Sequence, residues 1–171
     1  MTDLAEATEK LIVEHILPMT NANLVEWQGF REKEMYTVAV TELLQVNLGS
    51  IRKLFNRLAL VKDFRMKKNL VPVFATPIPS IDQIVHGLSH AIKGVTDREL
   101  AQAFYLSKMT VAEETERSNF ENTFLKWPEF IEFIARLAYY KYDEDSYEHR
   151  TWPLPRKIEA LLEEICPLVG A

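Results

Sequence analysis

The chain has 171 residues, 47% of them hydrophobic, a net charge of −5 and a single cysteine, Cys166. That length suits one domain or two small helical lobes, and the apolar content excludes a disordered chain. Five glycines against eight prolines disfavour an architecture of many tight hairpins, while the lone cysteine excludes an internal disulfide and fits a reducing compartment. No secretory signal follows Met1 and no apolar run of about 18 residues could span a bilayer, so a cytoplasmic location is expected.

In chain order, the periodicity is helical almost throughout. Leu4, Leu11, Ile12, His15 and Ile16 share one face of a first helix that must stop by Pro18. After the polar break at 20–23, a short apolar patch leads into a second helix from about Arg31. It points Met35, Val38, Leu43, Leu44 and Val46 largely inward and ends near Leu48, with Gly49 as a left-handed cap. The alternation at 38–40 also admits a short strand. Ser50 then caps a helix with the stripe Ile51, Leu54, Phe55, Leu58 and Ala59. Pro72, Pro77 and Pro79 forbid continuous helix, and Leu70 to Ala75 suit an extended segment.

Two capping boxes follow, Ser80 with Gln83 and Thr96 with Glu99. They predict helices over 81–92 and 97–107, with a turn at Gly94. Residues 108–123 are polar and aperiodic. Pro128 sits where a first helical turn tolerates proline, and Phe130, Ile131, Phe133, Ile134, Leu137 and Ala138 form the buried stripe behind it. An acidic linker, Asp143 to Glu148, leads to a last helix opened by Pro155, with Ile158, Leu161, Leu162 and Ile165 inward.

The segment 124–142, FLKWPEFIEFIARLAYYKY, carries the most information. A calcium-binding loop has twelve residues, with oxygen ligands at one, three, five and twelve and glycine at six. Numbering Glu129 as twelve puts Leu125 at eight and Trp127 at ten, both apolar as the motif wants. The same count puts Ser118, Phe120, Asn122 and Thr123 at one, three, five and six. Phenylalanine cannot ligate an ion, and calcium needs 6–8 oxygens. The count taken from Ile84 as the residue after twelve puts Pro72, Phe74, Thr76 and Pro77 at those places. No calcium site, no other metal and no cofactor is expected. The alternative is that Trp-Pro-Glu-Phe starts an ordinary amphipathic helix of an unrelated α-bundle.

The succession AFYLSKMTVAEE (103–114), FLKWPEFIEFIARLAYYKY and PLPRKIEALLEEICP (153–167) resembles calmodulin-like, non-calcium-binding EF-hand modules of eukaryotic cytoskeletal and ciliary or flagellar proteins. The likeness covers about the last 75 residues. It implies an all-α, EF-hand-like pair of helix–loop–helix units with flanking N- and C-terminal helices. The corresponding divisions are an N-terminal extension (1–49), the pair (50–142), and a linker with a C-terminal helix packing back (143–171). It also implies a non-enzymatic protein-binding scaffold in a microtubule-based assembly, with tubulin or a ciliary complex as partner.

Charge points to a place for that partner. Residues 52–68 hold Arg52, Lys53, Arg57, Lys62, Arg65, Lys67 and Lys68 against Asp63 alone, whereas 113–148 is strongly acidic. Arg52, Lys53 and Arg57 are spaced to share an exposed face opposite Leu54 and Leu58. Such a stretch attracts an acidic protein surface, a nucleic acid or an anionic lipid surface, or else it is a solvated face or pairs with 143–148. A nucleic-acid or anionic-surface module is the alternative function.

The remaining constellations are weaker. His86 and His90 have zinc-compatible spacing, but no third ligand is in sequence reach. Cys166 suits a half-buried structural thiol. There is no glycine-rich phosphate loop and no nucleophile elbow, so an enzyme is not expected. Tyr140 and Tyr142 cannot both face the core of one helix.

Overall fold

The computed structural model describes residues 4–16, 29–60, 78–108, 121–145 and 147–169. The described residues are mostly helical, and the fold is all-α; their one piece of β pairing is an isolated antiparallel bridge between Ser80 and Phe124. Among them no helix is long and apolar enough to cross a membrane. The chain divides into two compact units, Met1–Thr37 and Val38–Ala171. The first contains α1 (Leu4–Leu11), continued by a π-helical turn at Ile12–Ile16, and a second π-helical turn at Arg31–Met35. Leu11, Ile12 and Val13 are exposed, so the stripe expected to face a core leaves part of its apolar surface in solvent.

The second unit opens with α2 (Val38–Leu58), one unbroken helix of 21 residues. Here the structure corrects the sequence reading. Gly49 does not end a helix and Ser50 does not start one; among the described residues the positive-φ position is Gly94 alone. The reason is the phase of the apolar residues. Val40, Leu44, Ile51, Leu54, Phe55 and Leu58 are buried and recur every three, four or seven positions, so a single stripe runs past Gly49. Burying that stripe against the rest of the unit outweighs the roughly 1 kcal/mol that a mid-helix glycine costs. The same phase turns Val38 and Val46 outward, 75% and 85% exposed, where they were expected inward. The strand at 38–40 is also absent, and the division at 49/50 falls inside α2. The extended segment at 70–75 lies outside the described residues.

Four more helices and a short one complete the unit: α3 (Ile81–Leu88), α4 (Asp97–Ser107), α5 (Trp127–Asp145), the single turn α6 (Tyr147–Arg150) and α7 (Leu154–Ile165). Both capping boxes form as written in the sequence. α3 stops at Leu88, a turn earlier than expected, and Gly94 (φ 79°) reverses the chain before Thr96 caps α4. α5 is the centre of the unit. It packs against both α4 and α7, and α2 packs against α5, α7 and the 3₁₀ turn Cys166–Val169. Phe130, Phe133, Ile134, Leu137 and Ala138 of α5 are fully buried with Leu100, Phe104, Ile158 and Leu161; each large side chain contributes about 1.5–3 kcal/mol by leaving water.

Two segments meet ahead of α3 and α5. The Leu125 amide donates to the Pro79 carbonyl at 3.1 Å, beside the Ser80–Phe124 bridge. Each segment then enters its helix two residues later, at Ile81 and at Trp127.

Candidate docking surface

Of the seven predicted surface cations, Arg52, Lys53 and Arg57 lie on α2 and are exposed, while Leu54 and Leu58 opposite them are buried. Lys62, Arg65, Lys67 and Lys68 lie outside the described residues. The Arg52 guanidinium sits 3.8 Å from the Trp127 ring centroid and 5.8 Å from that of Phe55. Phe55, Trp127 and Phe130 form a cluster that joins α2 to α5, with Phe55 edge-on to both partners. The core therefore positions the first cation of the basic face on the electron-rich face of an indole, an attraction of about 0.5–1 kcal/mol at an exposed site. Among the described residues, no carboxylate pairs with Arg52, Lys53 or Arg57. Asp143, from the acidic stretch that could have neutralised them, pairs instead with Lys157 at 3.6 Å.

Sequence reasoning missed a set of buried charges. Glu129, Glu132, Arg136 and Lys157 are each 3% exposed or less. Arg136 Nε donates to Glu132 Oε1 at 2.8 Å, one turn away on α5. Lys157 Nζ lies 4.8 Å from the Tyr139 ring centroid as well as near Asp143. Lys141 pairs with Glu164, whose other oxygen accepts the Lys93 amide, so this group ties α5, α7 and the Gly94 turn together. The i,i+4 spacing of Glu132 and Arg136 was visible in the sequence, but the same spacing is common on solvated helix faces.

Glu129 joins two donors at the start of α5. Its Oε2 accepts the Lys126 amide at 2.7 Å, as an N-terminal cap does, and receives the Lys108 ammonium at 3.0 Å. The same ammonium donates to the Phe124 carbonyl at 2.6 Å. In the preceding segment the corresponding residue, Gln83, uses its amide nitrogen to donate to the Ala59 carbonyl at 3.1 Å, just past the end of α2. Each of these first-turn residues is thus tied back to the end of an earlier helix, Gln83 to the end of α2 and Glu129 to the end of α4.

The other candidates take structural positions. His86 and His90 are exposed with ring centroids 6.4 Å apart, edge to face, and among the described residues no group of three His, Cys, Asp or Glu could hold a metal ion. Cys166 is half-buried; loss of hydration raises its thiol pKa, opposed by a hydrogen bond with the Ser50 side chain. Tyr142 is buried beside His149 and Trp152 of the α6–α7 corner, and Tyr140 is half-buried. The C-terminal segment therefore covers one of the two tyrosines. No family model, no curated protein and no solved structure matches this chain.

Proposed function

We propose that the chain is a calcium-independent, EF-hand-like, non-enzymatic protein-binding module that docks on an acidic protein surface through the basic face of α2. The observation that carries this reading is the cluster Arg52, Lys53 and Arg57, exposed on one helix face and joined to no carboxylate among the described residues. Three cations on one helix face, paired with no carboxylate among the described residues, are an electrostatic footprint that steers association and sets register.

The EF-hand-like part of the proposal is supported by register. With Gln83 and Glu129 each counted as twelve, Pro79 and Leu125 both fall at position eight. These are the residues joined by the hydrogen bond between the two segments. Both exiting helices begin at position ten, and both position-twelve side chains bond back to a cap position. The hydrogen bond between the two position-eight residues is what favours this reading over an unrelated α-bundle.

A microtubule-based ciliary or flagellar assembly is the setting to which the sequence resemblance points. The test is cosedimentation with microtubules, using wild type and the triple variant Arg52→Glu, Lys53→Glu, Arg57→Glu. Three surface pairs at roughly 0.5 kcal/mol each amount to about tenfold in affinity. Wild type should therefore pellet in a salt-sensitive way, and the variant should bind at least that much more weakly with its melting temperature unchanged. Equal binding by the variant would remove the basic face from the reading. Binding to short nucleic acids with a steep salt slope, and none to microtubules, would replace it with the nucleic-acid alternative.

A further inference from the structure

The bonding around Lys108 has a meaning beyond packing. In a calcium loop the backbone carbonyl of position seven and the carboxylate of position twelve both ligate the ion. In the count used above, those groups are the Phe124 carbonyl and the Glu129 carboxylate. Here both contact one ammonium, Lys108 Nζ, at 2.6 and 3.0 Å. The lysine lies directly after α4, the helix that precedes the counted loop in the chain. We infer that the Lys108 ammonium is a tethered cation standing in the place of the metal, so that the second helix–loop–helix is permanently loaded and has no ion to release. This inference rests on the EF-hand-like register.

Charge and coordination agree with the substitution. Glu129 is 3% exposed, and a buried carboxylate needs a cation or several donors beside it. A calcium ion brings two charges and demands 6–8 oxygens. An ammonium brings one charge and three donors, which suits a loop whose counted ligand positions hold a serine, a phenylalanine and an asparagine ahead of that one glutamate. The first helix–loop–helix reaches the same end without charge, since the Gln83 amide bonds directly to the Ala59 carbonyl. In neither helix–loop–helix does the link between exiting and entering helices need a metal.

The experiment removes the tethered cation and offers a free one of the same kind. Wild type, Lys108→Ala, Lys108→Met and the double variant Lys108→Ala, Glu129→Gln are melted in methylammonium chloride and, at equal ionic strength, in sodium chloride, and each is also melted with millimolar calcium chloride. Lys108→Ala should melt lower than wild type and regain part of the loss in methylammonium, which brings the one charge and three donors that the lysine supplies. Wild type, the double variant and Lys108→Met, which fills the space with a methyl group, should not respond. Calcium should shift none of them, because the counted positions offer too few oxygens. No methylammonium response in folded Lys108→Ala, or an equal one in wild type, overturns the inference.

Should Lys108→Ala not fold, NMR of the wild-type lysine ammonium groups decides the matter. Lys108 should give a slowly exchanging NH₃⁺ signal at neutral pH that moves in Glu129→Gln; its absence counts against the inference. Amide hydrogen exchange at Leu125 separates the two levels of argument. A protected amide with a cation-blind Lys108→Ala sinks the surrogate alone, whereas a fast-exchanging one sinks the paired-loop register beneath it.

Discussion

Replacing Gly49 by alanine should stabilise the protein. Gly49 is exposed in the middle of α2, and a Cβ built there meets nothing within 4 Å. The substitution therefore adds no clash and removes no contact. What remains is the helix-interior preference of alanine over glycine, about 0.8–1 kcal/mol, part of which comes from the narrower unfolded ensemble of alanine. Gly94 is the internal control. Its Cβ would also enter open space, but its φ of +79° lies in the left-handed region, where an L-residue costs about 1–2 kcal/mol. Urea denaturation followed by circular dichroism should move the midpoint up for Gly49→Ala and down for Gly94→Ala, with the slope unchanged in both. For a unit of this size the first shift corresponds to about 3 °C in melting temperature. A loss of stability in Gly49→Ala would mean that the chain breaks at Gly49 as a left-handed cap, and the continuous α2 would be wrong.

The buried pair on α5 should behave as a unit. Arg136→Met or Glu132→Met alone should lower stability by more than about 1 kcal/mol, since each removes the 2.8 Å charged partner of a buried side chain. The double variant should cost clearly less than the sum, and additive effects in a thermodynamic cycle would refute the coupling. Cys166, whose thiol pKa is raised by burial, should react with iodoacetamide more slowly than a free thiol, with its rate profile displaced to alkaline pH. Removing the opposing hydroxyl in Ser50→Ala should displace that profile further, and a profile at or below the ordinary thiol range would contradict the burial. By linkage, a raised thiol pKa disfavours the folded state only once pH climbs past the unfolded thiol value, so Cys166 should add no pH dependence to stability below neutrality.

Much of the second unit was legible because its signals are local. A capping box satisfies helix-terminal amides within four residues, and both boxes stand where Ser80–Gln83 and Thr96–Glu99 predict them. Proline near the start of α5 and α7, the apolar stripe of α5 and the outward face of Arg52, Lys53 and Arg57 are likewise properties of one helix at a time. The error at Gly49 shows the limit of that logic. Glycine followed by serine is good local grammar for a stop and a start, and only the shared surface buried by both halves of α2 makes the chain continue.

The amino-acid sequence by itself determined an all-α chain, most of its helix starts, the turn at Gly94 and a basic face, because each depends on backbone bonding or side-chain spacing within a few residues. Tertiary structure alone decided that α2 is one helix, that Glu132, Arg136 and Lys157 are buried as charges, and that the Lys108 ammonium meets the Phe124 carbonyl and Glu129 across 16 and 21 positions of chain. A charge can be buried only where other elements bring it a partner, and no periodicity along one helix announces that meeting.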